Sequence, residues 1–133
     1  DWNLNDAWFV YDEFRVTGDQ YQLNVGSYNT ESTAGNVLEE MYNGGRYSHN
    51  GMLFTTKDND NDRRRQPDKY GDELNCGISR QGGWWYNNCY ECNLNGPYVQ
   101  GGSSDYTSAM CVNVFGNAFS IKTCTMKVRP VLK

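Results

Sequence analysis

The sequence has little histidine, little proline and no excess of positive charge. Of its 133 residues one is histidine and three are proline, and 16 acidic side chains outnumber 12 basic ones, which gives a formal net charge of −4. This balance excludes the broad basic face that attracts nucleic acid, and the arginine run at 63–65 lies beside aspartates. No hydrophobic run approaches the length of a membrane span.

Five cysteines occur in a chain that also has 14 glycines and ten tyrosines. This composition is typical of an extracellular, loop-rich domain with disulfide bonds, and we expect the protein to be secreted. A zinc site needs four good ligands, but Cys89 and Cys92 form one short pair without a second, and His49 is the only histidine. Zinc binding is therefore not expected.

Strand patterns dominate the chain. Residues 8–16 and 21–28 alternate in hydrophobicity around a turn-like `TGDQ`, which predicts an antiparallel hairpin. Residues 33–42 predict one short helix, and 51–56, 110–115 and 119–132 predict further strands. The polar segment 57–83 has no apolar period and is predicted to be a long loop of functional importance. Without repeats or a linker, residues 1–133 are predicted to form a single domain.

Aspartates alternate with asparagines at the start of this loop, in the order Asp58, Asp60 and Asp62. Carboxylates this close repel one another unless a cation lies between them, and hard oxygen ligands suit calcium. An EF-hand is excluded, because Arg63 stands where that loop needs glycine and Lys69 where it needs glutamate. The motif alone leaves open whether it is a calcium site or a solvated acidic turn.

Several motifs in a fixed order carry a family resemblance. They are `FRVTGDQYQLNVGSYNTESTAGNVL`, `SHNGMLFTTKDNDND`, `GGWWYNNC`, `NLNGPY` and the closing `TMKVRP`. Together they resemble the fibrinogen-related domain of fibrinogen chains, ficolins, tachylectins and angiopoietins. The resemblance implies an α+β fold with a mostly antiparallel sheet, short helices and a loop-rich calcium- and ligand-binding region. It places the first residue in the middle of the family's central subdomain, so we expect a fragment or a natural short form.

The resemblance also implies functional residues. It makes Cys76 and Cys89 a disulfide, Asp60 and Asp62 calcium ligands with Asp58 nearby, and the Asn88–Cys89 peptide bond a cis bond. The implied ligand pocket consists of Arg80, Asn88, Cys89, Tyr90 and Tyr106. Three departures stand out: extra residues at 63–75 beside the metal site, Tyr90 where many relatives have histidine, and Arg80 where lectin-type members often have tyrosine.

Three cysteines remain, which allows one further bond in three ways. Cys111 and Cys124 lie on the two predicted closing strands, and hairpin partners approach closely enough for a disulfide. We therefore expect a Cys111–Cys124 bond. Cys92 would then be free or would join a second chain in a disulfide-linked homodimer, and a buried, inert Cys92 remains the alternative.

The sequence predicts a secreted, calcium-dependent, lectin-like recognition module that binds acetylated or anionic carbohydrate, with a role in innate immunity or agglutination. The alternative is a structural, adhesive or receptor-ligand protein that uses the same fold for protein–protein contacts. No nucleophile–base pair and no paired general acid and base emerges, so an enzyme is not expected.

Overall fold

Two antiparallel strands near the start of the chain form the most regular part of the fold. The structure, a computed structural model, describes residues 1–39, 42–67, 71, 73–112, 114 and 120–130. Strands β1 (Tyr11–Thr17) and β2 (Gln22–Tyr28) pair with Phe14 opposite Val25. The turn between them passes through Gly18 at φ 72°, a conformation that glycine adopts without strain. The predicted hairpin is confirmed.

The second edge of β2 is covered by the segment at 50–54. Leu23 N–H donates to the Met52 carbonyl at 2.9 Å, and Gly51 N–H donates to the Leu23 carbonyl at 2.8 Å. The side chain of Asn50 bonds both backbone groups of Val25. The predicted strand at 51–56 is thus an extended segment that completes the hydrogen bonding of β2, with isolated bridges at Thr55 and Thr56 instead of a regular ladder.

The helix predicted at 33–42 does not form at 33–39, and Glu40 and Met41 lie outside the described residues. The N–H groups of Thr33 and Ala34 both donate to the carbonyl oxygen of Trp8. Gly35 has φ 78°, which lies outside the helical region. The local pattern is helical, but Gly35 turns the backbone out of the helical path directly after Thr33 and Ala34, which are hydrogen-bonded to the segment before β1.

Helical structure is limited to two short turns in the described part of the chain. A 3-10 turn covers Tyr42–Gly45, and helix α1 covers Cys76–Ser79. Asn75 caps α1, since its side-chain oxygen accepts from Gly77 N–H at 2.7 Å and from Ile78 N–H at 3.2 Å. The segment around α1 is otherwise loop, as the sequence predicts.

The core is built by aromatic side chains and short strands from the second half of the chain. Trp84 and Tyr86 are buried and belong to one cluster with Leu23 of β2 and Met110. Strands β3 (Cys92–Asn93) and β4 (Met110–Cys111) pair antiparallel, with Cys92 opposite Cys111. This packing joins the hairpin at the start of the chain to the loop-rich region.

The predicted cysteine pairing at the end of the chain is wrong. Cys111 is bonded to Cys92 across β3 and β4, where the two Cα atoms lie 3.9 Å apart. Cys124 is the free cysteine, and it is exposed. The predicted strand at 119–132 is absent at 121–130, so Cys124 has no strand position opposite Cys111. The buried, bonded Cys92 also rules out the expected homodimer link through that residue.

The architecture is α+β, with antiparallel strand pairs, short helical turns and long loops. In the part of the chain that the structure describes, no helix has both the length and the apolar character needed to cross a bilayer.

Candidate functional site

A disulfide ties α1 to the loop that follows the two adjacent tryptophans. Cys76 and Cys89 are bonded, with their Cα atoms 5.5 Å apart, which is the pair that the family resemblance implies. The Cys76 N–H donates to Oδ2 of Asp62 at 2.7 Å. The side chain of Asp62, the last residue of the acidic run, is therefore hydrogen-bonded directly to a cysteine of the disulfide.

The Asn88–Cys89 peptide bond is trans, so the expected cis bond is wrong. A trans bond is the ordinary low-energy geometry before a residue other than proline. The loop closes through another contact, in which Asn87 N–H donates to the Cys89 carbonyl at 2.8 Å. The side chain of Asn87 donates to the carbonyls of Gly45 and Ser48 and holds the loop against the 3-10 turn.

The acidic run brings two of its three carboxylates together. Asp62 N–H donates to Oδ1 of Asp60 at 3.2 Å, and Oδ1 of Asp62 accepts from Arg64 N–H at 2.8 Å. Burial raises the pKa of Asp62, its two backbone hydrogen bonds oppose this, and the neighbouring charge of Asp60 raises the pKa further. The two acids form a pair whose negative charges repel, which is an arrangement that a cation would stabilise.

Asp58 has a different hydrogen-bond partner from this pair. Its Oδ1 accepts from the hydroxyl of Thr56 at 2.7 Å, and this hydrogen bond lowers the pKa of an exposed carboxyl group. Among the described residues, no group of three or more His, Cys, Asp and Glu side chains is arranged to hold a metal. A calcium ion would therefore take side-chain oxygens from Asp60 and Asp62, and its other ligands would be carbonyls or water.

The fit to calcium is partial. Both oxygens of Asp62 already accept backbone hydrogen bonds, but a carboxylate has about four lone-pair positions, so each oxygen can accept a further partner.

The extra residues at 63–75 place a positively charged side chain, that of Arg65, next to the acidic run. Nη1 of Arg65 donates to the carbonyls of Asp62 at 3.1 Å and of Arg64 at 2.9 Å. Carbonyls directly downstream of the acids are thus occupied by a guanidinium of the chain itself.

Arg64 is a buried residue that the sequence analysis did not single out. It is 4% exposed, and its Nη1 lies 3.3 Å from the Ser79 hydroxyl and 3.5 Å from the Cys89 sulfur. The extra segment therefore does not simply bulge away from the site, since its second arginine packs beneath the disulfide. The alternation of exposed Arg63, buried Arg64 and exposed Arg65 follows from an extended backbone.

The predicted ligand pocket has Arg80 and Tyr90 as neighbours. Burial raises the pKa of Tyr90, while the positive charge of Arg80 lowers it and the nearby Tyr106 raises it. The Tyr90 hydroxyl donates to the carbonyl of Tyr106. Tyr90 is only 7% exposed, whereas Tyr106 is 50% exposed. Tyr90 is therefore buried and bonded to the backbone of Tyr106, while the Tyr106 side chain is exposed and that of Arg80 is half-buried.

The other two predicted pocket residues, Asn88 and Cys89, contact arginines other than Arg80. Cys89 is buried at 6% exposure and contacts Arg64. In the orientation that satisfies both side chains, the Asn88 amide oxygen accepts from Nε and Nη2 of Arg46, each at 2.6 Å. Arg46 is a second residue that sequence reasoning missed. It is 42 positions from Asn88 and only the fold brings the two together.

A surface cleft of about 700 Å³ lies beside the acidic run, apart from the predicted pocket. Its walls include Lys57, Asp58, Gly77 and Ile78. None of the five predicted pocket residues lines it, so the predicted pocket and this cleft are separate features of the surface.

The sequence is similar to that of known proteins along nearly its whole length. The pattern of a family described as fibrinogen beta and gamma chains, C-terminal globular domain, matches residues 1–131. The chain is 39% identical to the human fibrinogen alpha chain over 99% of its own length and 16% of the relative. It is 36% identical to fibrinogen-like protein 1 of Mesocricetus auratus over 98% of its length and 40% of the relative. The chain thus spans well under half of these relatives.

Solved structures give the same result. The fibrinogen-like globe domain of human ANGPTL6 aligns with a TM-score of 0.71 and 31% identity, over 90% of this chain and 48% of that one. A lamprey fibrin D-dimer in complex with the peptide Gly-His-Arg-Pro-amide aligns with a TM-score of 0.74 and 26% identity, over 92% of this chain and 40% of that one. The chain belongs to the family of fibrinogen C-terminal globular domains.

Proposed function

We propose that this chain is a secreted recognition module without enzymatic activity that binds acetylated or anionic carbohydrate at the surface formed by Arg80 and Tyr106. The observation that carries the proposal is the exposed ring of Tyr106, whose backbone carbonyl is bonded by Tyr90, together with the positive charge that Arg80 places near Tyr90. A fixed guanidinium next to an exposed aromatic ring suits a sugar with a negative or acetylated substituent, because the ring packs on the sugar and the cation bonds its oxygens.

Calcium is part of the proposal. Asp60 and Asp62 would hold the ion, and the Cys76 N–H bond to Asp62 would pass its effect to the disulfide beside Arg80. Calcium would then act by fixing the loop, and the carbohydrate would bind to side chains of the neighbouring pocket. The two disulfide bonds support an extracellular location, where such bonds persist. A role in innate immunity or agglutination follows from glycan binding.

Protein–protein contact is the second candidate function, as in a structural, adhesive or receptor-ligand protein. One observation favours it: a structural relative was solved with the peptide Gly-His-Arg-Pro-amide. That peptide carries a positively charged arginine, and in this chain Arg80 places a positive charge near Tyr90, which would repel such a peptide. A peptide partner of this chain would therefore carry acidic side chains.

A glycan array, read with and without a chelator, separates the two candidates. The first proposal expects binding to acetylated or acidic glycans that decreases when calcium is removed. Arg80→Gln should weaken that binding about tenfold, because a hydrogen bond to a charged group is lost. The matched control is Arg15→Gln, which removes an exposed arginine on β1. Glycan binding that is equal in wild type and Arg80→Gln contradicts the proposal, and so does an array without any bound glycan.

A further inference from the structure

Two arginines far apart in sequence lie on either side of one peptide group. The carbonyl of Asn87 accepts from Arg63 N–H at 2.9 Å, and the N–H of Asn88 in the same peptide bond donates to the Arg46 carbonyl at 3.3 Å. With standard peptide dimensions, the two arginine backbones are about 8 Å apart. Both side chains are exposed, and so is that of Arg65. These three residues, Arg46, Arg63 and Arg65, are called the arginine face below.

Neutral groups hold two of the three guanidiniums in place. Arg46 bonds the Asn88 amide oxygen and lies over the Tyr47 ring, with its central carbon 5.7 Å from the ring centroid. Nη1 of Arg65 bonds two backbone carbonyls. These contacts orient the side chains without cancelling their charge. Within the described part of the chain, no carboxylate forms an ion pair with Arg46, Arg63 or Arg65.

The two backbone segments lie close enough for one ligand to reach both. The separation of about 8 Å between them is smaller than the combined length of two arginine side chains, so a single extended anion can contact Arg46 and Arg63 together. Each contact adds a charge-assisted hydrogen bond. A ligand with repeated negative groups several ångströms apart gains most, since one molecule contacts several guanidiniums.

We propose that the arginine face is a second binding site, separate from the Arg80 pocket, for a sulfated polysaccharide. Sulfate groups match the fork of arginine donors, and disulfide-bonded chains function where extracellular polyanions are polysaccharides. The chain as a whole carries a net charge of −4, so retention of a long polyanion requires a local group of basic side chains such as this one. Binding that depends on these charges is sensitive to salt.

The test uses the whole chain on immobilised heparin, a sulfated polysaccharide, with a salt gradient. Wild type should be retained and should elute at lower salt after Arg63→Gln. The double variant Arg46→Gln/Arg63→Gln should bind heparin at least about tenfold more weakly in 0.1 M salt. Arg63→Gln is the cleaner single change, because the hydrogen bond of Arg63 that holds the fold is made by its backbone.

Two controls make the result specific. Arg15→Gln removes an exposed arginine of β1 and should leave heparin retention unchanged. Arg80→Gln should also retain heparin, which separates this inference from the proposed carbohydrate pocket. Equal heparin affinity in wild type and the double variant overturns the proposal. Retention on unsulfated hyaluronan or on RNA that equals retention on heparin overturns the assignment to sulfated polysaccharide.

Discussion

The backbone N–H of Cys92 donates to Nε2 of His49 at 3.1 Å, while Nδ1 of the same ring lies 2.8 Å from the Trp85 carbonyl. An N–H only donates and a carbonyl only accepts, so the ring is neutral and carries its proton on Nδ1. His49 is fully buried, and burial lowers its pKa to about 4. The single histidine is therefore a structural link between β3 and the loop after Trp84.

The low pKa of His49 predicts loss of stability in mild acid. Below pH 6.5 the unfolded chain takes up a proton on this histidine, whereas the folded chain resists protonation until about pH 4. The contribution of neutral His49 to the free energy of unfolding is complete above pH 6.5 and is lost as the pH falls through about 4. We expect about 3 kcal/mol of unfolding free energy to disappear in this way, as measured by urea denaturation at several pH values.

The variant His49→Gln separates this effect from that of the carboxyl groups. It should be less stable than wild type at pH 7, because the ring is buried and bonded at both nitrogens. Its stability should decrease much less between pH 6.5 and pH 4. Identical pH dependence in the two proteins would show that His49 is not the group responsible.

We predict that Tyr90 contributes mainly to the stability of the fold, and that its effect on ligand binding is secondary. Its ring is buried within the core cluster, and its hydroxyl donates to the Tyr106 carbonyl. Tyr90→Ala should therefore lower the unfolding free energy by about 3–5 kcal/mol. Tyr90→Phe should cost about 1 kcal/mol, because it removes only the hydrogen bond. Thermal melting that is unchanged in Tyr90→Ala would contradict the buried position.

Local patterns predict one element of this chain correctly and another wrongly. The alternation at 11–28 identifies the hairpin, because Leu23 and Val25 must be buried on one face. The helix at 33–42 is a wrong prediction for 33–39, since Gly35 has a positive φ and the Trp8 carbonyl holds Thr33 in another position. That contact joins residues 25 positions apart, and no local signal reports it.

The family resemblance supplied the Cys76–Cys89 bond, but it also implied a cis bond that the structure does not have, and it gave no sign of contacts made by long-range packing. Cys89 of this bond is the last residue of the `GGWWYNNC` motif, and Cys76 lies before the motif in the chain. The Cys92–Cys111 bond depends on the pairing of two very short strands, which spacing alone does not identify. Arg46 joins Arg63 only because both segments bond the peptide group between Asn87 and Asn88.

The cysteine pairing predicts one reactive thiol in the oxidised chain. Titration with a thiol reagent should give one equivalent without denaturant, because Cys124 is exposed and the other four cysteines are bonded. Cys124→Ser should abolish the signal and leave the melting temperature nearly unchanged. Peptide mapping should recover the Cys92–Cys111 bond, and recovery of Cys111 bonded to Cys124 would refute this pairing.

Calcium binding is predicted to depend on two of the three alternating aspartates. Asp60→Asn and Asp62→Asn should each reduce calcium affinity by tenfold or more, on the order expected when a charged ligand is lost. Asp58→Asn is the matched control and should change the affinity little, because Asp58 bonds Thr56 away from the pair. Calorimetric titration measures all three variants. An effect of Asp58→Asn as large as that of Asp60→Asn would place three ligands at the ion.

Arg65 is predicted to weaken the calcium site that the acids form. Its Nη1 bonds the carbonyls of Asp62 and Arg64, so a positive charge lies beside the position of the ion. Arg65→Gln should therefore tighten calcium binding, by about fivefold at low salt, and less at high salt because screening reduces the repulsion. Arg63→Gln removes the same charge from the neighbouring exposed residue and should have a smaller effect. Equal affinities of the two variants would mean that net charge, and not the position of Arg65, controls the ion.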